Sequence, residues 1–178
     1  MSPPVVELVP HDPAWADAAK QESLRLIAAT GDAVIQVHHI GSTAIPGILA
    51  KPILDLMPIV RSLPRLDEAR SAIEALGYDW KGELGISGRR FCILSDPTTG
   101  QRKVHVHCFA EGSPEVTRHL AFRDHLRARP DLARAYEAVK ARCRDLHPLD
   151  MLAYNACKND WIRRVEAEAL AHLPNQWG

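Results

Sequence analysis

The chain lacks an excess of charge of either sign: 22 lysines and arginines balance 22 acidic side chains in 178 residues. Nonspecific nucleic-acid binding needs a basic face to neutralise phosphates, so a neutral chain gives no evidence for a nucleic-acid partner. Long apolar runs are missing too. No stretch approaches the ~18 residues of a bilayer span, and no membrane association is expected. The N-terminal segment Met1-Ser2-Pro3-Pro4-Val5-Val6-Glu7 has no basic stretch followed by an apolar one and does not read as a signal peptide. Cysteine is sparse. Cys92, Cys108, Cys143 and Cys157 form no C-x-x-C pair and read as buried free thiols, which implies a reducing cytoplasm. Neither GxGxxG nor a Walker sequence is present, so a Rossmann site and a P-loop are unsupported. Ser42 lies in no G-x-S-x-G elbow, and HExxH is absent. There is no internal repeat and no low-complexity segment.

Histidine, by contrast, is plentiful at nine residues and is the one compositional sign of chemistry. Periodicity organises the rest. Asp12-Pro13 reads as N-cap and N1 of a helix with an apolar stripe through Trp15, Ala18, Ala19, Leu24, Ile27 and Ala28. Gly31-Asp32 ends it. Ala33 to Ile40 is β-branched-rich and predicts a strand. Gly41 to Pro52 reads as a long turn with room for one helical turn. Ile53 to Val60 predicts a second strand, which Pro58 marks as an edge or an early end. A helix over Pro64 to Leu76, closed by Gly77, and a short strand over Tyr78 to Trp80 follow. Gly82 to Gly88 is a glycine-rich loop. Arg90 to Leu94 and Lys103 to Phe109 read as an antiparallel pair joined by Asp96-Pro97-Thr98-Thr99-Gly100. Beyond Gly112 the pattern turns helical: Val116 to Ala128, Pro130 to Leu146, and Leu149 to about Leu173. Strands first and helices later imply an α+β fold, with a core over 1–112 and a helical part over 113–178 packed on it as one compact domain.

The most telling stretch is His39-Ile40-Gly41-Ser42-Thr43-Ala44-Ile45-Pro46-Gly47, followed by Lys51-Pro52-Ile53-Leu54-Asp55-Leu56. A lone acid in an apolar strand is costly unless something pairs with it. A Gly-Ser turn frees N–H groups and a hydroxyl for phosphate oxygens. An acid just beyond it can hold a divalent cation. Gly41, Ser42 and Lys51 are therefore candidate phosphate- or nucleotide-binding residues, and Asp55 a candidate metal ligand and catalytic acid. Its structural alternative is an Asp that caps a neighbouring turn. Strand alternation places Lys103, His105, His107 and Phe109 on one face and Val104, Val106 and Cys108 on a core face. His105 and His107 are ~7 Å apart along the strand. That H-x-H pattern can ligate a metal, with His107 also a candidate general base, or it can be a solvated pair. Arg89 and Arg90 suit phosphate, although each alone also reads as a surface charge. Arg123 and Arg127, one helical turn apart, form either an anion clamp or pairs with Asp124 or Asp131.

The two quoted motifs strongly resemble the GrpB family of the nucleotidyltransferase superfamily, which has a polymerase-β-like fold. His105-Val106-His107, the helix Phe122-Arg123-Asp124-His125-Leu126-Arg127, Tyr136 and Lys140 are similar to its later blocks. The Trp15 helix resembles its opening, and the match runs from about Val6 to Ala169. The resemblance implies a mixed β-sheet flanked by helices with a helical C-terminal part. It also implies a phosphate grip at Gly41-Ser42 and a first metal-binding acid at Asp55. Met57 stands where the second acid would be, and His105 or His107 where a third would be. One ion, held by Asp55 and the imidazoles, fits these residues better than two Mg²⁺. Mg²⁺, Mn²⁺ and Zn²⁺ are the candidate ions. Domains of this kind fused to dephospho-coenzyme A kinase imply a link to coenzyme A metabolism, with such a kinase as a partner. The leading expectation is a metal-dependent nucleotidyltransferase-like protein that takes a nucleotide or a phosphorylated small molecule. The alternatives are a noncatalytic nucleotide- or anion-binding module and a metal-dependent phosphohydrolase.

Overall fold

The computed structural model describes residues 5–173. Met1-Ser2-Pro3-Pro4, part of the segment read for a leader, lies outside the described residues. The chain forms two compact units, each built from separate segments. One comprises Asp12–Ala44 and Ile53–Val116, the other Met1–His11, Ile45–Pro52 and Thr117–Gly178.

The first unit is a mixed five-stranded sheet. Its strands are β1 (Val34–Ile40), β2 (Leu54–Val60), β3 (Tyr78–Gly82), β4 (Arg89–Ser95) and β5 (Arg102–Ala110), in the spatial order β1-β2-β5-β4-β3. Only β2 and β5 run parallel. One sheet face, with Leu56, Val60, Cys92, Val104, Val106 and Cys108, is packed by helices α1 (Ala14–Thr30), α2 (Leu63–Glu68) and α3 (Arg70–Ala75) through Ala19, Leu26, Leu66 and Ile73. Burial of that apolar area is the main force holding the layer together.

Local signals were shifted in several places. Pro13, not Asp12, is the N-cap of α1, and Asp12 accepts the Ala14 N–H through Oδ1 at 2.9 Å. Leu24, read as part of the apolar stripe, is exposed. The helix expected over Pro64–Leu76 is two short helices that meet at Ala69, with Gly77 turning at φ +99° before β3. β2 is an interior strand, not an edge. It accommodates Pro58 because its pairing to β5 runs through Leu56↔Val106 and resumes at Ile59↔Phe109, so no ladder bond to β5 is asked of the missing N–H.

The second unit is helical. Its helices are α4 (Pro114–Ala128, which begins in the first unit), α5 (Pro130–Leu146) and α6 (Met151–Ala171), the last capped by Asp150 through the Ala153 N–H. Ile45, Ile48, Leu126, Ala133, Tyr136 and Val165 form one cluster; Val6, Cys143 and Tyr154 form another. A two-residue bridge, Val9↔Ala50, ties the N-terminal segment to the 45–52 loop. Cys143 and Cys157 form a disulfide between α5 and α6, whereas Cys92 and Cys108 are free and buried. That pairing overturns the expectation of four free thiols and removes the thiol argument for a reducing compartment. The two half-cystines lie on different helices, and their spacing of 14 residues carried no recognisable pattern.

Candidate functional site

Parallel pairing of β2 and β5 sets Asp55 beside His105 in register. Two residues further along β5, His107 shares that face. The separation along the strand is bridged by the acid: Asp55 Oδ1 lies 3.0 Å from His107 Nε2 and 3.6 Å from His105 Nδ1. The ligand-capable atoms of the three residues all fall within 4.8 Å of one another. Phe91, paired with His107 across β4, wedges against both rings at 5.4 and 4.9 Å between centroids.

The Gly-Ser turn completes one side of the cluster. Gly41 has φ +72°, and a Cβ there would lie 2.6 Å from Asp55 Oδ2. Any other residue is disfavoured twice: the left-handed backbone is strained for L side chains, and the Asp55 carboxylate would have to move aside. Asp55 therefore presents Oδ1 to the imidazoles and Oδ2 to the turn. Burial alone would raise its pKa. Hydrogen bonds from His105 and His107 outweigh that effect and hold the carboxyl well below the usual carboxylate range. One carboxylate and two imidazoles form a donor set suited to Zn²⁺ or Mn²⁺, with bonds of about 2.0–2.2 Å for zinc. The buried Nε2 of His105 has no hydrogen-bond partner among the described residues. Met57 is fully buried in the place where a second acid was expected.

The remaining sequence candidates divide. Ser42 opens the helical turn Ser42–Ala44 directly after Gly41. Arg89 and Arg90 occupy opposite faces of β4 by alternation. Arg89 is buried, donates to the carbonyls of Glu83 and Leu84, and stacks 4.6 Å from the Phe91 centroid. Arg90 makes a two-point ion pair with Asp67 at 2.7 and 2.8 Å. Arg123 pairs with Asp124 at 2.7 Å, and Arg127 approaches the same acid at 3.9 Å. Lys51 belongs to the helical unit, where it lies 5.7 Å from the Tyr154 ring centroid and 3.7 Å from Met151 Sδ.

Sequence reading gave Lys140 no role beyond its place in the family resemblance and did not single out Lys158; both are buried lysines, on α5 and α6. Their positions among apolar helix residues could have marked them, since lysine is almost never fully buried without reason.

Comparison with known proteins agrees with the motifs. The GrpB protein family matches residues 5–168. The UPF0157 protein YqkA of Bacillus subtilis is 38% identical over 164 residues, 92% of this chain and 47% of YqkA. A dephospho-CoA kinase of Mycolicibacterium paratuberculosis is 32% identical over 180 residues, 89% of this chain and 44% of the kinase. The chain thus spans less than half the length of these two relatives. The crystal structure of the conserved protein GrpB from Enterococcus faecalis superposes with a TM-score of 0.86 at 34% identity, over 93% of this chain and 98% of that one. Terminal uridylyl transferase 4 from Trypanosoma brucei, solved with bound CTP, gives a TM-score of 0.51 at 14% identity, over 93% of this chain and 52% of that one. At that identity the likeness shows the fold, a nucleotidyltransferase-like α+β architecture. On sequence, length matched and structure, the chain belongs to the GrpB family.

Proposed function

We propose that this chain is a metal-dependent, nucleotidyltransferase-like protein that binds a nucleotide or another phosphorylated small molecule. The observation that carries the proposal is the convergence of Asp55, His105 and His107 beside the Gly41-Ser42 turn. The three side chains would hold one divalent ion, which when bound would supply a Lewis acid for phosphate oxygens. Asp55 stays ionised throughout the working pH range because its carboxyl lies well below the usual range. In this reading His107 would hold the proton of an attacking group or serve as a ligand, and Ser42 would donate to phosphate. The internal bonds of Arg89 and the salt bridge of Arg90 leave a direct phosphate role to rearrangement of those contacts. Similarity to a dephospho-CoA kinase supports a ligand from coenzyme A or nucleotide metabolism, a kinase of that pathway as partner, and hence a cytoplasmic setting.

Adding Mn²⁺ to metal-free protein should raise its melting temperature, by the equivalent of about 2.7 kcal/mol at a hundredfold excess over Kd. Asp55→Ala should abolish the shift. An equal shift in that variant would sink the proposal. The buried Met57 in place of a second acid specifically favours a second reading, a noncatalytic binding module of the same fold. That reading predicts nucleotide stabilisation without metal and no pyrophosphate release.

A further inference from the structure

Arg89 and Phe91 stand two residues apart on β4, on the sheet face that carries Asp55, His105 and His107. Register pairs Phe91 with His107 and Ile93 with His105. The Phe91 ring reaches both imidazoles, its centroid 4.9 Å from that of His107 and 5.4 Å from that of His105. Over the same ring lies the Arg89 guanidinium, 4.6 Å from the centroid. The guanidinium is itself anchored. Its Nε and Nη2 donate to the Glu83 carbonyl at 3.2 and 3.1 Å, and Nη2 donates to the Leu84 carbonyl at 2.9 Å. A continuous chain of contacts thus runs from the β3–β4 loop through Arg89 and Phe91 to the imidazoles and Asp55.

Two features set this chain apart from ordinary packing. A metal-ligating histidine normally donates its other ring N–H to a carboxylate, a carbonyl or water, which fixes the ring. His105 turns Nδ1 toward Asp55 at 3.6 Å, and its buried Nε2 has no hydrogen-bond partner among the described residues. Contact with Phe91 therefore restrains a ring that lacks the usual outer hydrogen bond. The loop end of the chain is strained as well. Leu84 has φ +42°, the one positive value at a non-glycine residue among the described residues. Such backbone persists only where its surroundings over-determine it, and Arg89 holds the Leu84 carbonyl. Arg89 is 7% exposed, and burying a guanidinium is costly in its own right. Costs of these kinds concentrate where a constellation has to be held in place.

We propose that Arg89 and Phe91 are positioning residues for the His105–His107 pair. Arg89, anchored on the Glu83 and Leu84 carbonyls, pins the Phe91 ring, and the ring sets the imidazoles at the separation that Asp55 bridges. Rotation of the imidazoles is thereby restricted before any ligand arrives, so less ordering is left to be done on binding. The proposal rests on the metal reading above only for its use of an ion as a probe. Imidazole order belongs to the metal-free chain and is measured apart from it.

The test compares the wild-type full chain with Arg89→Met, which keeps an unbranched stem without the guanidinium fork, and with Phe91→Leu. In metal-free protein, ¹³C relaxation at the imidazole Cε1 positions should show the His105 and His107 rings more mobile in both variants. Calorimetry should show the Kd for Mn²⁺ raised at least about tenfold, the usual cost of removing a group that orients a ligand. Tyr78→Phe, which loses a hydrogen bond to Glu22 in the same unit, should lower stability and leave both readouts unchanged. Should Arg89→Met fail to fold, Arg89→Lys, which keeps the charge and loses the fork, is read in its place. Unchanged imidazole mobility overturns the proposal, as does unchanged affinity in variants of a chain that binds Mn²⁺. A wild-type chain that binds no Mn²⁺ sinks the metal reading instead, and imidazole mobility then decides the positioning role by itself.

Discussion

The polar clusters around Asp55 and around Lys140 shift pKa in the same direction, with opposite meanings. At Asp55 the shift is downward, so the charged carboxylate is the favoured form, held by two imidazoles. At Lys140 the shift is also downward, so the charged ammonium is the disfavoured form, among Lys158 and Lys51. The acid cluster is charge-satisfied within the protein and built across two paired strands. The lysine cluster is built from three segments far apart in sequence, and burial beside like charges disfavours the protonated form of Lys140. Polar groups at odds with their surroundings concentrate at functional sites.

The largest effect that would sharpen this contrast comes from the disulfide. Cys143 and Cys157 close a 14-residue loop between the helices that carry Lys140 and Lys158. Chain-entropy reasoning assigns such a loop about 3 kcal/mol. Reduction, or the Cys143→Ser/Cys157→Ser double variant, should therefore lower the urea midpoint strongly. Mn²⁺ affinity should stay unchanged. Cys92 should not react, because burial pushes its thiol up to about 12.

Next in size is Asp55→Ala. Loss of the sole carboxylate donor should weaken metal binding by on the order of 100-fold, the upper end of what removal of a mere supporting group costs. Calorimetry with Mn²⁺ reads this directly. Gly41→Ala should cost about 2 kcal/mol from the positive φ and the collision with Asp55 Oδ2, and it should displace the carboxylate. Its signature is a joint loss of stability and metal affinity, which a purely structural turn would not couple.

The smallest effect separates the clusters by pH. Folded Lys140 has its pKa pushed down to about 7, against an ordinary 10.5 when unfolded. Between those values the unfolded chain binds more protons, so stability rises with pH across that window. The groups acting on Lys140 are Lys158, Lys51 and Glu137. A gain of about 2 kcal/mol between pH 7 and pH 9 is expected in urea titrations. Lys140→Met should flatten the slope. Asp55 contributes in the opposite regime: its folded pKa is depressed, so its stabilisation is present above the unfolded value near 3.8 and is lost only in strong acid.

The strands were readable because alternation is local. His105 and His107 opposite Val104, Val106 and Cys108 needed nothing beyond a period of two, and the structure confirms those faces. Asp55 was visible as an acid in an apolar run. Its contact with the histidines was not, because it depends on the parallel register of β2 and β5. The split helix at Ala69 and the interior position of Pro58 escaped for the same reason: neighbours in space decided them. Arg89 and Arg90 look alike in sequence, yet alternation and the Glu83–Leu84 carbonyls give them different tasks.

By itself the sequence determined the element types, the α+β class, the GrpB motifs and the candidate metal-ligating residues, since each depends on local periodicity or on side-chain chemistry. Tertiary structure alone decided that Asp55 Oδ1 bridges two imidazoles, that Gly41 leaves room for Oδ2, that Cys143 pairs with Cys157, and that Lys51 joins Lys140 and Lys158. Those are contacts between residues distant in the chain, and they exist only once strand register and helix packing have brought their side chains within a few ångströms.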